Sequence, residues 1–109
     1  MEYQNRKDGD QQEAILSGNL TFDDMTSFRQ LIVEFQNASA ERWVMDLRNL
    51  DFIDSAGLGL LLRLNAAAET CESKLSLRVS PEGKVKNMMD VAQFDQVIPF
   101  EHEEPITIG

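Results

Sequence analysis

Asp46-Leu47-Arg48-Asn49-Leu50-Asp51-Phe52-Ile53-Asp54-Ser55-Ala56-Gly57-Leu58-Gly59 follows an apolar run, Trp43-Val44-Met45, and leads into a run of helix formers over residues 60–69. This order predicts a buried strand over residues 42–47, a polar elbow and a helix that starts at Ser55. A helix start leaves backbone N–H groups without partners and carries about half a positive elementary charge. Asp54, or Ser55 itself, is placed to cap those groups. Gly57 and Gly59 each cost about 1 kcal/mol of helix propensity relative to Ala. Two explanations remain open: another backbone approaches the first turn, or the helix packs tightly on its own sheet. Asp46 is a polar intruder in the strand, expected near its C-terminal end and bonded to loop N–H groups. Asp46, Asp51 and Asp54 are read as carboxylates that brace and cap the elbow rather than hold a cation such as magnesium.

The pattern Asp-Leu-x-x-Leu-x-Phe-Ile-Asp-Ser-Ala-Gly-Leu-Gly resembles the signature of STAS domains, most of all that of the anti-sigma factor antagonists. In that family a partner kinase phosphorylates the Ser after the Asp, which is Ser55 here. The family usually carries a second Ser next; this chain has Ala56, so Ser55 is the only hydroxyl between Ser39 and Thr70. The resemblance extends in weaker form from about residue 14 to residue 100.

A chain of 109 residues suffices for one domain with one core, about residues 12–100, followed by an acidic tail at 101–109. Apolar residues make up 42% and charged residues 27%, ordinary for a globular protein. The longest apolar run, residues 58–62, is far short of the ~20 residues that span a bilayer, and residues 1–6 carry no apolar signal region. No membrane insertion and a cytoplasmic location are therefore expected. A net charge of −9 disfavours nucleic acid, whose phosphates need clustered Lys and Arg, and suits a basic protein surface. Cys71 is the one cysteine and is expected as a small core residue; His102 is the one histidine, in the tail. No Cys and His set has metal-ligand spacing, and no metal or cofactor is expected.

Asp8-Gly9-Asp10 reads as a hairpin turn before a strand with Ala14, Leu16, Gly18 and Leu20 on one face. Thr21 is the expected N-cap of a helix whose stripe is Met25, Phe28, Ile32 and Phe35, widened by Leu31. After Ser55 one stripe, Leu60, Leu61, Leu64, Ala68 and Cys71, should face the sheet. A second, Leu58, Leu62, Asn65 and Glu69, runs beside it at four-residue spacing. Leu58 and Leu62 are either partner surface or covered by a neighbouring helix. Leu75, Leu77 and Val79 alternate in a strand over residues 74–80. Ser80-Pro81 predicts the start of a short helix carrying Val85, Met88, Met89 and Ala92, and residues 96–100 a last strand. Alternation of this kind predicts an α/β fold, a mixed and mostly parallel sheet of about five strands flanked by three to four helices. The STAS resemblance implies the same. Ser55 then stands beyond the C-terminal end of a sheet strand, where such sheets place their sites.

Gly57-Leu58-Gly59 lacks the third glycine of a dinucleotide fingerprint and the Gly-Lys-Ser/Thr of a P-loop, so the chain is not read as an enzyme. The resemblance implies an anti-sigma factor antagonist, phosphorylated on Ser55 by an anti-sigma factor serine kinase and restored by a serine phosphatase. The expected partner face is Asp54, Ser55, Ala56, Gly57, Leu58, Gly59 and Leu62. The alternative is a STAS subunit of a lipid-transport ABC complex, some of which carry Ser or Thr before Ala-Gly.

Overall fold

The computed structural model describes residues 1–101, so His102 and the rest of the expected tail lie outside the described residues. In chain order the elements are β1 (Glu2–Asp8), β2 (Gln11–Leu20), a 3-10 turn (Phe22–Asp24), α1 (Met25–Ala38), β3 (Arg42–Ile53), α2 (Ser55–Thr70), β4 (Lys74–Arg78), α3 (Lys84–Val91) and a second 3-10 turn (Phe94–Gln96). The sheet order is β1-β2-β3-β4; β1 is antiparallel to β2, and the other pairs are parallel. This is the mixed, mostly parallel α/β architecture read from the sequence.

Alternation sorts the strands into two faces. One face carries Ala14, Leu16, Trp43, Met45, Leu75 and Leu77, all buried. Phe28, Leu31 and Phe35 of α1 and Leu61, Leu64 and Ala68 of α2 complete this core, with the Phe35 and Trp43 rings edge to face at 5.3 Å. Val85 and Met89 of α3 join the same cluster. The other face carries charge. Buried Glu13 pairs with Arg6 (3.2 Å) and Arg78 (3.0 Å), and buried Asp46 pairs with Arg48 (2.8 Å).

β3 is twice the expected length. From Ile15 to Ser17 β2 advances two residues while β3 advances three, Asp46 to Asn49. From Gly18 to Asn19 β2 advances one while β3 advances two, Leu50 to Phe52. Each step is a bulge with the extra residue in β3. The bulges interrupt the two-residue period, so residues 48–53 do not read as strand although they pair with β2.

Other expectations are corrected. Asp46 lies in mid-strand: its carboxylate accepts the Arg48 N–H (3.1 Å) and both Nε–H (3.0 Å) and Nη2–H (2.8 Å) of the Arg48 guanidinium, so it braces the first bulge and not the elbow. Asp51 is exposed within β3, and its side chain has no hydrogen bond among the described residues, so it does not brace the elbow either. Cys71 is exposed, because it caps the C-terminal end of α2, where the stripe has passed the edge of the sheet. Residues 80–83 stay out of α3, which starts at Lys84 after Gly83 at φ 114, a conformation that excludes helix. The last strand is reduced to one parallel bridge, Leu77 with Phe100; Phe94–Gln96 coils into its turn instead, and Pro99 has no N–H for a ladder. Glu101 is part of the folded domain, with its carboxylate accepting from Ser76 Oγ (3.3 Å) and Arg78 Nε (3.2 Å).

Candidate functional site

Ser55 is the first residue of α2 and is exposed. Its side chain has no hydrogen bond among the described residues. The parallel strands β2 and β3 end together, Leu20 beside Ile53, and the Asp54 N–H donates to the Leu20 carbonyl at 3.3 Å. The chain then turns into α2 with Asp54 extended at the N-cap. Asp54 Oδ1 accepts the Gly57 N–H at 2.7 Å, a short charge-assisted cap. Its Oδ2 accepts the Phe22 N–H at 3.4 Å, from the turn that follows β2. One carboxylate therefore touches the connection that leaves β2 and the one that leaves β3. Of the two capping residues left open by the sequence, the structure uses Asp54.

The two glycines divide between the two explanations. A Cβ on Gly57 would stand 2.3 Å from the Leu20 carbonyl oxygen and 2.7 Å from Ile53 Cγ1. Gly57 thus lets the first turn of α2 sit directly on the end of β2. A Cβ on Gly59 would meet nothing within 4 Å, so nothing among the described residues requires that glycine.

Leu58 and Leu62 part company as well. Leu58 is buried in the core cluster, whereas Leu62, one turn on, is 43% exposed. Ala56 is half-buried between them and the cap. So the structure brings Asp54, Ser55, Ala56, Gly59 and Leu62 to one helix end and removes buried Gly57 and Leu58 from its surface. One residue that the sequence reading did not single out joins them: Phe22, 67% exposed in the turn after β2 and bonded to Asp54 through its N–H, whereas Phe52, 40% exposed at the end of β3, lies on the face of the sheet opposite Ile53. Phe22 carried no signal in the sequence, because only the pairing of β2 with β3 brings its turn to Asp54.

A second feature lies elsewhere, between β4, α3 and Phe100. A cleft of about 440 Å³ is lined by Arg48, Arg78 and Lys86 with Val79, Phe100 and Glu101. Its cations are compensated: Arg48 by Asp46, Arg78 by Glu13 and Glu101, and Lys86 by Asp90 at 2.6 Å. Burial alone would push the Asp46 carboxyl up; the hydrogen bonds from Arg48 and the charges of Arg48 and Arg78 outweigh it and hold the pKa below the ordinary carboxyl value. Among the described residues no group of His, Cys, Asp and Glu could hold a metal ion, and no helix is long and apolar enough to cross a membrane.

The chain is similar to known proteins over nearly its whole length. Residues 4–99 match the family model described as "Mlab, STAS domain". A STAS-domain containing protein of Pseudomonas aeruginosa (strain UCBPP-PA14) is 32% identical over 91 residues, 83% of this chain and 87% of that protein. Among solved structures, the anti-sigma factor antagonist SpoIIAA in its unphosphorylated form has a TM-score of 0.69 at 24% identity, covering 94% of this chain and 89% of that one. The sulfate transporter family protein from Wolinella succinogenes has a TM-score of 0.71 at 15% identity, covering 86% and 79%. The two structural likenesses are likenesses of fold; the family match and the Pseudomonas relative carry the assignment, and the chain belongs to the STAS-domain family.

Proposed function

We propose that this chain is an anti-sigma factor antagonist, a binding module switched by phosphorylation of Ser55. The observation that carries the reading is the placement of Ser55, an exposed hydroxyl with no hydrogen-bond partner among the described residues, on the first turn of a helix. In the unmodified state the module captures an anti-sigma factor serine kinase through the surface around Ser55, Gly59 and Leu62, and so frees a sigma factor. In the bound complex Ser55 Oγ attacks the γ-phosphorus of the kinase's ATP. The bond to the β,γ-bridging oxygen breaks, ADP leaves, and the hydroxyl proton passes to a base of the kinase. A serine phosphatase restores the hydroxyl by directing water at phosphorus, with release of inorganic phosphate. This chain supplies the acceptor and the surface, and its partners supply the chemistry. SpoIIAA, whose fold it shares, is known in unphosphorylated and phosphorylated forms.

The switch follows from solvation. Phosphate adds about −1.5 to −2 charges at a helix N-terminus, which tolerates it. A docked surface strips water from that doubly charged group, and binding is lost unless the partner's donors replace the water. A hundredfold loss corresponds to about 2.7 kcal/mol, within reach of one unpaired buried charge. The test is calorimetry of the unmodified and phosphorylated chains against the kinase they co-purify with. Ser55→Ala should bind constitutively, and Ser55→Asp should bind weakly with an unchanged circular dichroism spectrum. Affinities within about threefold, less than 1 kcal/mol, would sink the switch.

The motif Asp54-Ser55-Ala56-Gly57-Leu58 also suits a second reading, the STAS subunit of a lipid-transport ABC complex. Purification of the tagged chain from its own cells separates the two. A co-purified transport ATPase would favour transport, and a co-purified serine kinase would favour sigma control.

A further inference from the structure

The Asp54 carboxylate is shared unequally between two elements. Its bond to the Gly57 N–H is 2.7 Å, whereas its bond to the Phe22 N–H is 3.4 Å, near the limit of a hydrogen bond. The rest of the turn that carries Phe22 is held without Asp54. Asp24 Oδ2 accepts the Thr21 N–H at 2.8 Å, and the Asp24 N–H donates to the Thr21 carbonyl at 3.0 Å. Phe22 itself is the most exposed aromatic side chain among the described residues. Its backbone N–H is thus the one point of the turn whose hold depends on the elbow.

We infer that Asp54 is a positioning residue that ties Phe22 to the state of Ser55. In the unmodified chain it holds Phe22 beside Ser55 as part of one docking face. Phosphate on Ser55 breaks the weaker of its two bonds and releases Phe22. The inference rests on the reading of Ser55 as the phosphorylated residue.

Phosphate and carboxylate compete for the same donors. A phosphate at Ser55 stands one residue from the Asp54 carboxylate, and the two anions repel. The N–H groups of Ser55 and Ala56 have no partner among the described residues and are open to the phosphate. The carboxylate must then shift or shed a contact. It keeps the short bond, which is also the one inside the favourable field of the helix end, and gives up the long one to Phe22. Phe22, held by its N–H to Asp54 beside Ser55, is the apolar part of the face so assembled, and Asp23 and Asp54 are the acidic residues next to it. Its complement is a protein surface with an apolar socket rimmed by Lys or Arg. Phosphorylation would then weaken docking twice, through the charge it adds and through the aromatic it withdraws.

The test needs no partner. Phosphoserine is placed at position 55 of the full chain by genetic encoding, and the exchange of backbone amides with water is followed by nuclear magnetic resonance. The Phe22 amide should exchange about fivefold faster in the phosphorylated chain, the factor for loss of one ordinary hydrogen bond, while the Thr21 and Gly57 amides are unchanged. Asp54→Asn keeps one acceptor oxygen and so keeps the cap. It should speed Phe22 by a similar factor without any phosphate, and phosphoserine in that background should add nothing further. Phe22 exchange within about twofold in the two forms of the parent chain would overturn the inference, since that change is below the value of one hydrogen bond. An equal effect of phosphate with Asp54 and with Asn at position 54 would overturn it too. Failure here leaves the binding test of the switch standing, and failure of that switch leaves the Phe22 result readable.

Discussion

At position 57 there is no room for a methyl group, and at position 59 there is. The Leu20 carbonyl that a Gly57→Ala side chain would strike is backbone at the end of a strand and cannot swing aside. Gly57→Ala is expected to destabilise the fold by about 1–3 kcal/mol, the cost of overpacking. Gly59→Ala should stabilise it by up to about 1 kcal/mol, the helix propensity recovered. Thermal unfolding of both variants checks the pair. If Gly59 belongs to the docking face, the same Gly59→Ala variant should bind its partner more weakly while melting higher, a combination that a purely structural glycine would not give. Asp54→Ala should cost about 1 kcal/mol through loss of the cap. Position 46 shows where residue-level reading stops. A carboxylate inside an apolar strand signals a structural partner, but the partner, Arg48, is two positions along the same strand. Ideal alternation would direct both side chains to the same face; what the spacing cannot show is that a bulge begins between them.

At the scale of the element, α2 combines core and surface within one turn. Leu58→Ala should cost about 2–4 kcal/mol of stability, as truncation of a buried leucine does. Leu62→Ala, at a side chain 43% exposed, should cost less than about 1 kcal/mol and express itself in partner binding. Measuring unfolding and binding on the same preparations separates the two roles. The sequence placed this helix and four of the five residues of its buried stripe because a 3.6-residue period and an Asp-Ser start are local properties; it left the cap open between Asp54 and Ser55 and counted exposed Cys71 into the stripe. It shortened β3 because the bulges that break its period are set by β2, thirty residues earlier. It began α3 too soon because Ser80-Pro81 is a sound local start signal, overridden by Gly83 at φ 114. It left Phe22 out of the site because nothing local connects residue 22 to residue 54. Local chemistry was legible, and what depended on pairing across the sheet was not.

At the scale of the whole molecule, the sheet is apolar on one face and ionic on the other, and the two faces respond differently to pH. Asp46 has a lower pKa in the fold than in the unfolded chain. Its contribution to stability is therefore complete above the ordinary carboxyl range and is lost as pH falls through the depressed folded value. Arg78, raised by Glu101 and Glu13 against the opposing effect of burial, stays charged throughout. Urea unfolding followed by the fluorescence of Trp43, the one tryptophan and fully buried, should show a midpoint steady from neutral pH to about pH 5 and falling below about pH 4. Asp46→Asn should lower the midpoint at neutral pH by the equivalent of about 2 kcal/mol, the value of charge-assisted hydrogen bonds, and should flatten the acid limb. An acid limb as steep as that of the parent chain would show that Asp46 does not set it.

The pair of bulges in β3 has a consequence for how such a chain can change its length. Between the Gln12–Trp43 rung and the Leu20–Ile53 rung, β2 spends eight steps and β3 ten. Two surplus residues preserve parity, so Trp43 and Ile53 both point into the core; one surplus residue would have turned Ile53 outward and delivered Ser55 to the wrong side of the sheet. Deletion of one residue from 47–51 should therefore unfold the domain or strip Ser55 of its setting, whereas removing one from each bulge should restore the frame. Insertions and deletions in this stretch would survive in even numbers, much as a reading frame survives only multiples of its codon.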